Sequence, residues 1–252
     1  MKKILIAAAA LCLLCSCGPK GYTNYSWEYH ELDASYDRGS NTAVEEAISA
    51  YDSLMAPLQE IVCYSNDVYS KYTPESPLSN YAVDAVRSFA EKYTGEKIDI
   101  ALLNFGGIRT DLPKGAVRVY DIFSIFPFNN YLTILEVDGR TIESILYRMA
   151  RKNKVEALSG VRMKIDGDRI VECTVGGSKL DFRKNYKVAT IDFLVTGGDG
   201  IDWGDGILMR GDTGILLRDV IISEMKETMA AGKTLDLKTD GRVVITNPIK
   251  KK

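Results

Sequence analysis

Hydrophobic residues recur along this chain at two spacings, one helical and one typical of strands, from about residue 41 onward. Between Ser79 and Tyr93 they recur every three or four positions, and Gly95 follows, so we predict an amphipathic helix that ends at this glycine. Helices are predicted over 42–55, 79–93, 140–151 and 213–229. Strands are predicted over 60–64, 98–103, 131–137, 161–165, 170–175, 186–193 and 242–246.

The order of these elements mixes helices and strands without strict alternation of the two. The sequence therefore predicts an α+β domain in which helices pack on a mixed β-sheet. We divide the chain into a signal peptide over 1–17, a tether over 18–40 that lacks any periodic pattern, and one globular domain over 41–252. Roughly 210 residues are enough for a single domain with a sizeable core.

The N-terminal segment has the pattern of a bacterial secretory signal. Two lysines precede an apolar run over 4–14, which is too short to cross a bilayer. The run ends in Leu14-Cys15-Ser16-Cys17, which resembles a lipobox, where a small residue precedes the lipidated cysteine. Ser16 meets that requirement for Cys17, whereas Leu14 does not meet it for Cys15. We therefore expect an exported lipoprotein of the cell envelope, anchored through Cys17 to a periplasm-facing membrane surface.

Charge and cysteine content narrow the environment further. The formal net charge of −2 becomes about −4 once Lys2 and Lys3 leave with the signal peptide, so the basic footprint of a nucleic-acid-binding domain is missing. Cys63 and Cys173 remain after the anchor, each within a strand-like run. A disulfide between them is permitted in an oxidising envelope, but two buried thiols are the favoured reading because free cysteine is among the most buried residue types.

Three glycine- and aromatic-containing motifs carry the functional prediction. The first, Asn-Phe-Gly-Gly-Ile-Arg, begins at Asn104 directly after a buried strand, where ligand loops gather in α/β sheets. The second, Pro-Phe-Asn-Asn, contains Phe128, and the third, Phe-Leu-Val-Thr-Gly-Gly-Asp-Gly, begins at Phe193. Glycines allow a backbone to approach a ligand closely, so each motif is a candidate binding loop.

In order and spacing, over about residues 65–247, these motifs resemble the C-terminal nucleotide-binding domain of the periplasmic and cell-surface 5′-nucleotidase/UDP-sugar hydrolase family. The resemblance implies an α+β fold with a mixed sheet, in which Phe128 and Phe193 clamp a nucleobase and Asp199 binds the ribose hydroxyls. Asn104 and Arg109 would contact the nucleoside and its phosphate side. The implied substrate-binding residues are Asn104, Gly107, Arg109, Phe128, Asn130, Phe193 and Asp199.

Elementary chemistry agrees with these roles. Aromatic rings stack on any base, a carboxylate accepts both hydrogen bonds of a diol, and arginine presents a planar fork of donors to phosphate oxygens. Each phenylalanine also has an alternative reading as an ordinary core ring.

Two positions depart from the family pattern near the start of the domain. The family places an arginine shortly before Glu-Ser/Thr-x-Leu-Gly-Asn; here Tyr72 stands at the arginine position and Ser79 replaces the glycine. Half of the usual cationic clamp on the phosphates is then missing, unless the adjacent Lys71 substitutes for it.

Metal-dependent catalysis is not expected from this chain alone. In the resembling family, a separate metallophosphatase domain holds two metal ions with several histidines and aspartates, whereas this sequence has a single histidine, His30. Asp199, Asp202 and Asp205 do not follow the spacing of a calcium loop. We therefore predict no cofactor or metal in this chain, and divalent metals only on a partner.

Three functions remain open. The favoured one is a lipid-anchored nucleotide- or nucleoside-binding domain that serves a metallophosphatase on a separate chain, a split 5′-nucleotidase of nucleotide catabolism. The alternatives are an autonomous nucleotide hydrolase, which lacks a candidate base or nucleophile, and a degenerate interaction domain that no longer binds a ligand.

Overall fold

The computed structural model describes residues 26–29, 42–49 and 51–249. Its contacts divide the chain into two units, Met1–Tyr51 and Asp52–Lys252. In the first unit the described part includes helix α1, Thr42–Ser49, whose residues are all exposed. The signal peptide, Cys17 and His30 lie outside the described residues, as does nearly all of the tether. No helix in the described part is long and apolar enough to cross a membrane.

The second unit contains the remaining helices and all of the described strands. Its helices are α2 (Asp52–Met55), α3 (Pro77–Thr94), α4 (Val119–Ile125), α5 (Gly139–Lys152), α6 (Asp192–Val195) and α7 (Leu217–Ala230). Its strands are β1 (Ile61–Ser65), β2 (Ile100–Leu103), β3 (Gly115–Arg118), β4 (Tyr131–Asp138), β5 (Ala157–Ser159), β6 (Val161–Asp166), β7 (Arg169–Val175), β8 (Ser178–Lys179), β9 (Asn185–Ile191), β10 (Ile207–Leu216) and β11 (Val243–Thr246). The predicted α+β class with mixed sheets is confirmed.

The five-stranded sheet that carries the motifs has the order β10-β4-β9-β2-β5. Strands β2 and β9 are parallel, and their other neighbours are antiparallel. A four-stranded sheet has the order β11-β6-β7-β8, and β1 pairs with β3. Helix α3 packs on β2 and β5, and α5 packs on β4 and β9. Strand β2 is therefore buried along its whole length, which gives the loop that follows it a rigid base.

Helix α3 begins at the segment that departs from the family pattern. Ser76 is the N-cap: its hydroxyl accepts from the Ser79 amide at 3.1 Å, and the Ser79 hydroxyl accepts from the Ser76 amide at 2.9 Å. The pair forms a reciprocal capping box. Glu75 bonds the Asn80 side chain at 3.0 Å and the Gly241 amide at 2.8 Å. Ser79 therefore stabilises the start of helix α3, and Glu75 connects this start to the backbone at Gly241.

Several boundaries differ from the sequence prediction. The predicted helix over 42–55 is two helices, α1 and α2. The predicted helix over 213–229 was wrong at its start, because Thr213 belongs to β10. The predicted strand over 186–193 was also wrong at its end, because Phe193 lies in helix α6. Strands β3, β5, β8 and β10 and helix α4 were not predicted; β10 is an edge strand with mostly exposed residues, so it shows no alternation of apolar and polar positions.

Both cysteines of the second unit are free thiols, as the favoured reading predicted. Cys63 is buried, whereas Cys173 is only half-buried. Burial raises the pKa of Cys63, and burial together with the charge of Glu143 raises the pKa of Cys173 to about 11. Both groups are therefore protonated and poorly nucleophilic at neutral pH.

Candidate functional site

Four strand ends meet at one edge of the five-stranded sheet. The pairs Ala101↔Ala189 and Leu132↔Ile191 place the end of β2, the end of β9 and the start of β4 side by side. The pair Leu103↔Ala157 adds the start of β5. All three predicted motifs leave or enter the sheet at this edge, which we call the site edge.

The loop after β2 packs tightly around Asn104. This side chain is only 6% exposed, and its amide donates to Oδ2 of Asp199 at 2.7 Å. A Cβ on Gly107 would lie 2.8 Å from Oδ1 of Asn104, which is closer than two such atoms approach without movement. Gly107 is therefore required for the position of Asn104, and its predicted importance has a local steric cause.

Lys71 holds the same loop from beneath. Its ammonium donates to the carbonyl of Phe105 at 3.0 Å and also to the carbonyl of Ile108. Both hydrogen bonds of the Lys71 ammonium go to main-chain oxygens. The neighbouring Tyr72, which stands at the arginine position of the family, is 54% exposed. Lys71 therefore supports the loop after β2.

The loop after α6 presents Asp199 in an uncommon backbone conformation. Asp199 has φ 52°, and the adjacent Gly200 has φ 75°, both in the left-handed region that disfavours most side chains. The indole of Trp203 donates to the Leu194 carbonyl at 2.8 Å and is itself buried. This contact ties the end of the loop back to α6.

Lys154 and Glu156 complete a set of polar contacts around Asp199. The Lys154 ammonium lies 3.3 Å from Oδ1 of Asp199 and 3.1 Å from Oε1 of Glu156. The Glu156 side chain is 3% exposed, and its Oε2 accepts from the Phe105 amide at 2.8 Å. Partial burial lowers the pKa of Lys154, but hydrogen bonds and charges from Glu156 and Asp199 outweigh it and leave that pKa raised. Lys154 is therefore a stable cation.

These contacts form a closed circuit, which we call the polar ring. It runs from Asn104 to Asp199, to Lys154, to Glu156 and to the amide of Phe105, which follows Asn104 in the chain. The ring connects the loop after β2, the loop after α6 and the residues before β5. It fixes both oxygens of the Asp199 carboxylate, each of which keeps a further lone pair for a ligand.

Phe193 projects at the start of the same loop and is 42% exposed. Asp192 accepts at Oδ1 from the amides of Phe193, at 2.8 Å, and Tyr131, at 3.0 Å, so it joins α6 to β4. A Cβ on Gly198 would lie 2.4 Å from Cε1 of Phe193. The Phe193 ring therefore packs closely against Gly198 although the residue is partly exposed.

The second motif is braced by arginines from two directions. Phe128 is 48% exposed, and the guanidinium of Arg109 lies 5.9 Å from the centre of its ring, within the range of a cation–π contact. Arg218 donates to Oδ1 of Asn129 and lies 4.5 Å from the centre of the Phe123 ring. Asn130 is half-buried and its carbonyl accepts from the Leu217 amide at 2.8 Å. The backbone of the second motif is thus held in place, while the side chains of Phe128 and Asn129 are exposed.

The two aspartates after Asp199 differ in their surroundings. Asp202 pairs with Arg148 at 2.8 Å, and this hydrogen bond lowers the pKa of the carboxyl group. Asp205 is exposed. Within the part of the chain that the structure describes, no group of three or more His, Cys, Asp or Glu side chains is placed to hold a metal ion.

Comparison with known proteins identifies the family. The model of the 5′-nucleotidase C-terminal domain matches residues 55–205 of this chain. The chain belongs to this family. A 5′-nucleotidase precursor from Thermus thermophilus has a similar structure, with a TM-score of 0.69 and 25% identity over 82% of this chain and 43% of that protein.

Curated relatives of this 5′-nucleotidase C-terminal domain are much longer proteins. Protein UshA of Yersinia enterocolitica is 29% identical over 128 residues, which are 49% of this chain and 23% of UshA. Cell wall protein Lmo0130 of Listeria monocytogenes is 30% identical over 190 residues, or 68% of this chain and 24% of that protein. The matched segments thus cover about a quarter of the length of these relatives.

Sequence reasoning located the three motifs but not their supports. The structure places Asn104, Phe128, Phe193 and Asp199 in segments that meet at the site edge. It adds Lys154, Glu156 and Arg218, which were not predicted. Lys154 and Glu156 flank a single apolar residue just before β5, a pattern that carries no local signal of its own because the contact with Asp199 spans 45 residues.

Proposed function

We propose that this 5′-nucleotidase C-terminal domain binds a nucleoside or nucleotide at the site edge. The base would lie between Phe128 and Phe193, the ribose hydroxyls on Asp199, and the phosphate side toward Arg109. The observation that carries this proposal is the 2.7 Å hydrogen bond between Asn104 and Asp199, because it joins two of the three motifs into one surface. Membership of the family supports the same ligand class.

The expected affinity is modest. Stacking contributes about 1 to 3 kcal/mol for each base–ring contact, and charge-assisted hydrogen bonds contribute about 1.5 to 3 kcal/mol each. Association costs about 4 kcal/mol or more. Lys71 donates to two carbonyls of the loop, so we expect Arg109 to be the main cation for the phosphate. We expect dissociation constants of roughly 10 μM to 1 mM.

Within this proposal, the remaining predicted residues have supporting roles. Gly107 lets Asn104 occupy its buried position, and Asn130 lies at the start of β4, close to where the base would lie. Arg218 would hold the loop that carries Phe128 at a fixed height above the sheet. The ligand would then meet a preformed surface with two exposed aromatic groups.

We further propose that hydrolysis is carried out by a metallophosphatase on a separate chain, for which this domain supplies substrate recognition. The composition of the chain supports this division, because its single histidine is too few for the histidine-rich dinuclear site of the family's catalytic domain. Divalent metals would then belong to the partner and not to this chain.

Isothermal titration calorimetry with adenosine, AMP and UMP tests the binding proposal. We expect all three to bind, and Arg109→Ala to weaken AMP and UMP by about tenfold while it changes adenosine less, because the guanidinium pairs with the phosphate. Arg183→Ala is a matched control, since Arg183 is an exposed arginine near the start of β9, away from the site edge.

This titration and an assay of phosphate release together distinguish the three functions. A folded wild-type domain that gives no heat with any ligand at millimolar concentration would overturn the proposal in favour of a degenerate interaction domain. Phosphate release in the presence of Mg²⁺ or Mn²⁺ that follows the protein through purification would instead favour an autonomous hydrolase.

We also propose that the chain is exported and anchored through Cys17, which the cell-wall location in the name of the Listeria relative supports. Cys17→Ala should abolish incorporation of radiolabelled fatty acid and release the protein from the membrane fraction. Cys15→Ala should retain both, because the residue before Cys15 is a leucine. Lipid labelling that persists in the Cys17 variant would show that another residue is modified.

A further inference from the structure

We infer that Lys154 is a positioning residue that makes the site selective for ribose over deoxyribose. It would act through Asp199, the carboxylate to which the proposed function assigns the ribose hydroxyls, so the inference rests on that function. No motif contains Lys154; only the folded structure places it beside Asp199.

The geometry around Asp199 supports this role. Its two oxygens are held separately, Oδ2 by the Asn104 amide at 2.7 Å and Oδ1 by the Lys154 ammonium at 3.3 Å. A carboxylate held at only one oxygen can still rotate about its last bond, whereas one held at both keeps its plane. A vicinal diol needs two acceptor positions at a fixed separation and orientation. Lys154 therefore fixes the plane of the carboxylate that a ribose would meet.

Lys154 itself is held in place by a buried anion. Glu156 is almost fully buried, and its second oxygen accepts from the Phe105 amide at 2.8 Å. Removal of the ammonium would leave Glu156 as a buried carboxylate without a cation, which is unfavourable. Glu156 therefore keeps Lys154 in the polar ring even when no ligand is present.

The backbone of Asp199 makes this support necessary. At φ 52° a residue with a side chain has a conformational cost, and the flanking Gly198 and Gly200 offer no side-chain contacts of their own. The bonds from Asn104 and Lys154 offset that cost. Without Lys154 the loop would populate other conformations, and the diol would lose one of its two defined acceptors.

This inference is tested by measuring the affinity of the protein and its variants for three ligands. Adenosine carries the complete diol, whereas 2′-deoxyadenosine and 3′-deoxyadenosine each lack one hydroxyl. In the wild type we expect adenosine to bind about tenfold more tightly than either analogue. In Lys154→Met the adenosine affinity should fall by about tenfold while the analogues change little, so the preference disappears. Lys154→Arg should restore most of it, because arginine keeps the cation.

Lys179→Met is the matched control, because Lys179 is an exposed lysine of β8, which belongs to the four-stranded sheet. This variant should keep the ribose preference. Equal weakening of all three ligands by Lys154→Met, or an unchanged preference, would overturn the inference.

Thermal unfolding of Lys154→Met, Asp199→Asn and the double variant distinguishes failure of this inference from failure of the proposed function. If the wild type binds no nucleoside, the proposed function fails, and the ribose preference fails with it. The contact itself is then judged by unfolding alone: melting temperatures that shift non-additively retain Lys154 as the residue that positions Asp199, and additive shifts exclude it.

Discussion

Alanine at position 193 should weaken binding of adenosine, AMP and UMP alike by about 1 to 3 kcal/mol. Phe193 is 42% exposed and packs against Gly198, so its removal deletes the proposed stacking surface without opening the core. Because every base has a π-face, the loss should not depend on which base is tested. Calorimetry with the three ligands measures it, and circular dichroism confirms that the variant is folded.

Gly198→Ala provides a second, independent test of the same surface. The added methyl group would lie 2.4 Å from the Phe193 ring, so the ring must move, although its chemistry is unchanged. We expect reduced affinity for all three ligands and little change in melting temperature. Gly211→Ala is the control, because its methyl group would have only an ordinary contact, 3.7 Å from the Ile134 carbonyl. Unchanged affinity in both Phe193→Ala and Gly198→Ala would remove Phe193 from the site.

Alanine at position 160 should destabilise the domain by about 3 kcal/mol or more. Gly160 has φ +78°, and a Cβ there would lie 2.0 Å from the Asp99 carbonyl. The Asp99 carbonyl is part of the backbone and the added Cβ is fixed to the backbone, so neither can move aside without a shift of β2 or β5. The cost combines left-handed strain of about 1 kcal/mol with overpacking of about 2 to 3 kcal/mol, the upper part of the usual range, because the contact is only 2.0 Å.

Differential scanning calorimetry measures this effect as a fall in melting temperature of about 6 to 12 °C for a domain of this size. Gly177→Ala is the control: Gly177 has φ +80° but nothing within 4 Å of its added methyl group, so it isolates the cost of the backbone conformation. Equal destabilisation by the two variants would show that the contact with Asp99 is relieved without cost.

The sequence predicted best those elements whose own residues decide their structure. Helices α3 and α5 have regular apolar faces and clear end signals, and both were predicted to within a few residues. Strand β10 was missed because it is an edge strand with mostly exposed residues. Its strand conformation depends on pairing with β4 and not on an alternation of apolar and polar residues. Strand β5 has three residues, and its pairing with β2 depends on contacts more than 50 residues apart in sequence.

The candidate site divides in the same way. The motifs containing Asn104, Phe193 and Asp199 were visible because their paired glycines follow apolar, strand-like runs and because their order and spacing resemble those of a known family. The ammonium of Lys154 and the carboxylate of Glu156 were invisible, since a charged pair at a strand start normally faces solvent. Their meeting with Asp199 is a property of the assembled sheet and is absent from any local window.

The closed form of the polar ring has a consequence for how its energy can be measured. Removal of Asp199 or of Lys154 deletes two of the ring's contacts at once, so each of these single substitutions reports the loss of more than one bond. Losses measured singly for Asn104, Lys154 and Asp199 should therefore sum to more than the loss in the triple variant. The ring is therefore a cooperative unit, and the energy of one of its bonds is obtained by comparing single variants with multiple ones.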